Sequence, residues 1–183
     1  MSTTPFWHNY TGPRQKHEGF DYWPTTAQDA ISRLHDKGWG GEYNGAQLFK
    51  KNLSTEERLN TISLDATYIG LTYLLQNTPL VSQLYNRASA FSDASFLFNL
   101  TPVGWATGMS KSLFYDATDK IVGDLAKPLF TANIAYQTTQ LIGSALGANE
   151  KQRDIAASAA AGATVCGALC AVGAGVGAWL GWW

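Results

Sequence analysis

Three histidines, two cysteines and an isolated aspartate are the residues of this chain whose types invite chemistry. His8, His17 and His35 could ligate zinc or iron only with Cys or carboxylate partners at ligand spacing. None stand there, so they read as surface histidines, and no metal site is expected. Cys166 and Cys170 lie four apart in an apolar helical pattern, where their side chains share one face but their Cβ positions suit a disulfide poorly. The expectation is two buried free thiols. Gly38-Trp39-Gly40-Gly41 has the glycine density of a phosphate loop, yet it follows a helix and lacks the lysine, which makes it a helix terminator. The chain has no GxSxG elbow, no GxxxxGK[ST] loop and no GxGxxG after a strand. The sequence therefore predicts neither an enzyme nor a cofactor. Asp65 is the one ionisable residue inside an uncharged stretch and is a candidate for a proton or ion path. Its place near the start of that stretch favours a headgroup-level residue or a helix-packing partner.

These residues must be positioned by helices. The chain is 45% apolar and 15% charged with a net charge of −1, but the charges crowd into residues 14–58, 111–127 and 150–154. No basic run offers a footprint for nucleic acid, which is excluded as a partner. Residues 1–25 are rich in aromatics, Pro and Gly and read as an extended arm pressed on another protein surface or lying at a headgroup layer. They carry neither a secretory signal nor an Arg-rich targeting pattern. Thr26 with Asp29 starts a short helix over about 26–37, and Ser54 with Glu57 forms a capping box that starts another.

Beyond that cap the uncharged runs are long. Residues 66–86 give 21 uncharged positions, 128–149 give 22 and 155–183 give 29. About 20 apolar residues cross a hydrocarbon layer. The predicted fold is thus all-α: a membrane bundle of three to four Gly/Ala-rich transmembrane helices over 59–183, with an amphipathic charged insert at about 111–127 outside the membrane or at its surface. Residues 1–58 form an extramembrane, partly helical arm. Asn133, Gln137 and Gln140 would be costly against lipid and are expected to face other helices. In the last run Ala159, Ala163, Gly167, Ala171 and Gly175 recur every four residues, a groove for a neighbouring helix backbone. Trp179, Trp182 and Trp183 match an interfacial anchor.

The segment that holds Gly143 and Gly147, then the charged turn Lys151, Arg153 and Asp154, then Ala161-Gly162-Ala163-Thr164 and Gly167, resembles a known family. This is the mitochondrial inner-membrane preprotein translocase channel-like family, which includes a related accessory subunit of respiratory complex I. The resemblance covers about 50 residues. It implies a mitochondrial inner-membrane location and a non-catalytic accessory subunit of a large respiratory-chain complex, with complex I the specific candidate. The implied partners are other subunits, the lipid bilayer and bound phospholipid. The alternative is a protein-import channel or another pore-forming component, whose path only the Asn133, Gln137, Gln140 set approaches.

Overall fold

The computed structural model describes Tyr10 and residues 22–38, 48–92 and 94–181. Among them all regular structure is helical: α1 (Ala27–Gly38), α2 (Thr55–Asn77), α3 (Pro79–Ser92), α4 (Phe96–Asn99), α5 (Pro102–Ala145), α6 (Glu150–Cys166) and α7 (Ala168–Leu180). Most of the aromatic arm, His8, His17, the Trp39-Gly40-Gly41 loop, Trp182 and Trp183 lie outside the described residues, while His35, expected at the surface, is instead buried in the last turn of α1.

Local signals set the helix ends. Thr26 caps α1 by accepting from Asp29 N at 3.2 Å, and Asp29 sits in the first turn where the helix dipole favours a carboxylate. The Ser54 and Glu57 box starts α2, with Ser54 N to Glu57 Oε2 at 2.7 Å and Glu57 N to Ser54 Oγ at 3.2 Å. Pro79 cannot continue α2 and instead opens α3. A second capping box, Asn149 with Gln152, starts α6. Helix α5 ends in a Schellman motif: Ala148 N donates to Gly143 O, Gly147 N donates to Ser144 O, and Gly147 takes a φ of +74°.

The chain divides into two compact units, residues 1–44 with 70–124 and residues 45–69 with 125–183. In the first, the start of α1 is capped by side chains of α3 and α5. Ala27 N donates to Asn86 Oδ1 at 2.9 Å, Gln28 N donates to Asp119 Oδ2 at 3.3 Å, and Thr26 Oγ1 donates to Asp119. Two of the amides that every helix start leaves open are thus satisfied from elsewhere in the unit. Asn86 is turned by its own donations to Asp116 and Asp119. Gly123 lets α5 approach α2 closely, since a Cβ there would lie 2.8 Å from the Thr72 methyl.

In the second unit Ala132 and Tyr136 of α5 meet Ala157 and Ala161 of α6, and Tyr68 packs edge-on to Phe130 with centroids 4.6 Å apart. Asn133, Gln137 and Gln140 do face other helices and are buried. Among the described residues, 18 buried side chains are polar or charged against 11 apolar ones, of which only Leu53 and Val122 are branched aliphatics. Hydrogen bonds, more than aliphatic packing, therefore hold these helices in register.

The expected transmembrane bundle is corrected: no helix among the described residues is long and apolar enough to cross a membrane. The 29-residue uncharged run is not one helix. Gly167, at φ +80°, breaks it into α6 of 17 residues, which starts in the charged segment, and α7 of 13. The run at 66–86 is interrupted between Asn77 and Pro79, and the run at 128–149 turns its amides inward. The charged stretch 111–127 is the middle of the continuous α5.

Candidate functional site

The second unit contains an apolar cleft of about 860 Å³, inside the roughly 300–1,000 Å³ range of small-molecule sites. Three helices and one loop build it. Leu129, Ala132 and Tyr136 come from α5, Ser158, Ala161, Gly162 and Val165 from α6, Leu169, Cys170, Gly173 and Ala174 from α7, and Leu48, Phe49 and Lys51 from the loop before α2.

Helices α6 and α7 form its hairpin wall because the contact between them uses small residues. A Cβ on Gly162 would overlap the Cys170 carbonyl, and one on Gly175 would sit 3.4 Å from the Ala159 methyl. Cys166 and Cys170 form a disulfide across the turn, which corrects the expectation of free thiols. The physical reason is the break at Gly167: the two cysteines no longer share one helix, so the spacing penalty of a continuous helix does not apply.

The loop is held by side chains from α2 and α5. Phe49 has a φ of +58°, a left-handed conformation that costs a bulky residue about 1–3 kcal/mol. Three bonds to consecutive residues oppose that strain. Phe49 N donates to Asn133 Oδ1 at 2.7 Å, Gln137 Nε2 donates to the Lys50 carbonyl at 3.2 Å, and Arg58 donates to the Lys51 carbonyl. Each amide is itself oriented by a charged-type side chain of α2: Asn133 Nδ2 donates to Asp65 Oδ2 at 2.7 Å, and Gln137 Oε1 accepts from Arg58. Burial lowers the Arg58 guanidinium from its ordinary value, while Tyr136 and Asp154 act to raise it.

Tyr136 is the hub of the polar side. Its ring packs edge-on to Phe49 at 5.8 Å, its hydroxyl accepts from Gln140 Nε2 at 3.2 Å and it donates to Asp154 Oδ1 at 3.4 Å. Burial, foremost, pushes its phenol up to about 12. Asp154 also accepts from Gln140 Nε2 at 2.5 Å and pairs with Lys51 Nζ at 3.7 Å.

The residues singled out in the sequence are dispersed over several roles. Gly143 lies under Arg153, whose Cγ would be 2.8 Å from an added Cβ, and Gly147 ends α5. Lys151 stands 5.7 Å over the exposed Trp179 ring. Lys151, Arg153 and Asp154 belong to the first turns of α6, and only Asp154 joins the network. Ala163 is exposed, Gly167 is the break, Ala171 is half-buried and Gly175 packs on Ala159, so the four-residue ladder is shared between two helices. Asp65 is fully buried as a helix-packing partner of Asn133. Phe49, Lys51, Arg58 and Tyr136 carried no sequence signal of a shared site. The available hint was the helical spacing of Asn133, Gln137 and Gln140, which marks a polar face in need of partners.

Compared with family models, curated proteins and solved structures, the chain has no match.

Proposed function

We propose that the chain is a non-catalytic accessory subunit that supports the assembly and stability of a larger protein complex. The observation that carries this reading is an apolar corner of the first unit. Within ten consecutive positions, Phe96, Leu97, Leu100, Val103 and Trp105 are each 60% exposed or more, in a stretch from Ala94 to Ser110 free of charge among its described residues. Exposed apolar surface concentrated in this way marks interaction sites, and aromatics within it are the usual anchors. Taking each such side chain out of water contributes about 1.5–3 kcal/mol, and an apolar face on a partner subunit would supply that burial.

The resemblance of the Gly143 to Gly167 segment supports an assembly of the mitochondrial inner membrane, with respiratory complex I the specific candidate. In this reading the chain joins it through contacts with other subunits. Blue-native electrophoresis of gently solubilised membranes, followed with an antibody to this chain, tests the proposal. The expected band migrates with a large assembly, and Leu97→Glu combined with Leu100→Glu shifts it to the free chain without loss of helicity. A wild-type chain found only at the 19.8 kDa monomer position overturns the reading.

A further inference from the structure

We propose that the cleft of the second unit binds a long-chain fatty acid, its hydrocarbon tail laid along α6 and α7 and its carboxylate set at Lys51. This inference is independent of the accessory-subunit reading, because it rests on a different unit and different residues.

Three observations converge on that ligand. The first is the shape and chemistry of the walls. Small residues make up much of the cleft's lining, with Ala132, Ala161, Gly162, Gly173 and Ala174 beside Leu129, Val165 and Leu169, and so leave room for a ligand. Val165 and Leu169 are 54% and 88% exposed, so an apolar tail would cover surface that water now meets. The second is charge. Among the described residues that line the cleft, Lys51 is the only Lys, Arg, Asp or Glu, and it belongs to the loop before α2. Its side chain is 38% exposed, and its ammonium contacts Asp154 at 3.7 Å. Asp154 is also served by Gln140 and Tyr136, and Lys51, which lines the cleft, is the cationic side chain that an anionic headgroup would meet there. The other polar groups at the walls are the Tyr136 phenol and the Ser158 hydroxyl. One cation at the edge of an otherwise apolar slot matches one anion on a hydrocarbon chain.

The third is the strained loop. Phe49 is held at positive φ by Asn133, and the two following carbonyls are held by Gln137 and Arg58. That arrangement fixes Phe49 and Lys51 at the cleft before any ligand arrives. Backbone strain persists only where the surroundings impose it, and here they impose it at the point where tail and headgroup would part.

The test is displacement of a fluorescent fatty acid, and calorimetry with palmitate, on the full chain. Wild type is expected to bind one palmitate per chain. Gly173 lines the cleft and an added Cβ there would meet nothing within 4 Å, so Gly173→Leu adds bulk at the lining and should weaken binding at least 10-fold. Val165→Trp, at an exposed lining position on α6, is a second blocking variant with the same expected result. Lys51→Met keeps the side-chain stem and removes the charge. It should weaken palmitate about 10-fold while leaving the neutral hexadecanol unchanged. Circular dichroism confirms that each variant keeps its helices. No binding by wild type, undiminished binding by both folded blocking variants, or equal effects of Lys51→Met on palmitate and hexadecanol overturns the proposal. Retention by phosphatidylglycerol vesicles with no uptake of free palmitate overturns it too, since the surface would then serve a bilayer.

Discussion

Replacing Asn133 by Leu keeps the side chain's bulk and removes both of its bonds, the donation to Asp65 and the acceptance from Phe49 N. A net intramolecular hydrogen bond is worth about 1 kcal/mol, and depriving a buried partner of its donor adds about 1–3 kcal/mol. With both bonds lost, the expected loss is therefore about 3–5 kcal/mol. That is a large share of the roughly 5–15 kcal/mol by which domains are stable. For a chain of this size, about 3 kcal/mol corresponds to a fall in Tm of about 6–12 °C. Thermal and urea unfolding measure the loss. A double-mutant cycle with Phe49→Gly then locates it. In the wild type, glycine relieves left-handed strain; once Asn133 no longer clamps the loop, Phe49 can relax by itself and glycine gains less. The two substitutions should couple by at least about 0.5 kcal/mol. An Asn133→Leu variant within about 0.5 kcal/mol of wild type, or strictly additive substitutions, would refute the idea that this amide holds the loop.

Other consequences are equally concrete. Gly162→Ala drives a methyl into the Cys170 carbonyl and should destabilise by about 1–3 kcal/mol, whereas Gly175→Ala meets Ala159 at ordinary contact distance and should be tolerated; chemical denaturation compares them. Tyr136, raised to about 12 by burial, should be missing from the tyrosine absorbance change near pH 10. Because its folded value is the higher one, its contribution to stability is complete below 10 and disappears as the pH climbs towards 12, a dependence that Tyr136→Phe removes. Glu57 is held below its ordinary 4.5 by the Ser54 backbone amide, so its contribution is present above that value and fades as the pH falls below it. Circular dichroism from pH 6 to pH 3 should show this and Glu57→Gln should flatten it, while Ser54→Ala should cost about 1 kcal/mol at neutral pH.

What the sequence makes legible here is local. Ser54 with Glu57 and Thr26 with Asp29 declare helix starts because the bonds they make reach only three residues along the chain. Asn133, Gln137 and Gln140 declare a face that must be covered because their spacing fits one side of a helix. The failures are about where the chain turns. A count of uncharged residues treats 155–183 as one rod, but Gly167 bends it, and the same bend brings Cys166 and Cys170 into bonding distance. The cleft was hidden for a related reason. Lys51, Tyr136 and Gly173 are remote in sequence, and no periodicity says which loop returns to which helix.

The polar seam of the second unit also works as an address. Aliphatic side chains accept many neighbours of similar size, so an oily interface between two helices can slide by a turn and still bury its surface. Arg58 against Gln137 and Asp65 against Asn133 permit no such slip, since moving α2 by one turn along α5 would leave a guanidinium and a carboxylate facing the wrong partners inside the protein. The penalty falls on every misaligned arrangement and spares the native one. A chain that keeps its large apolar residues on the outside thus encodes its own alignment in donors and acceptors, and leaves its greasy surface free to be read by something else.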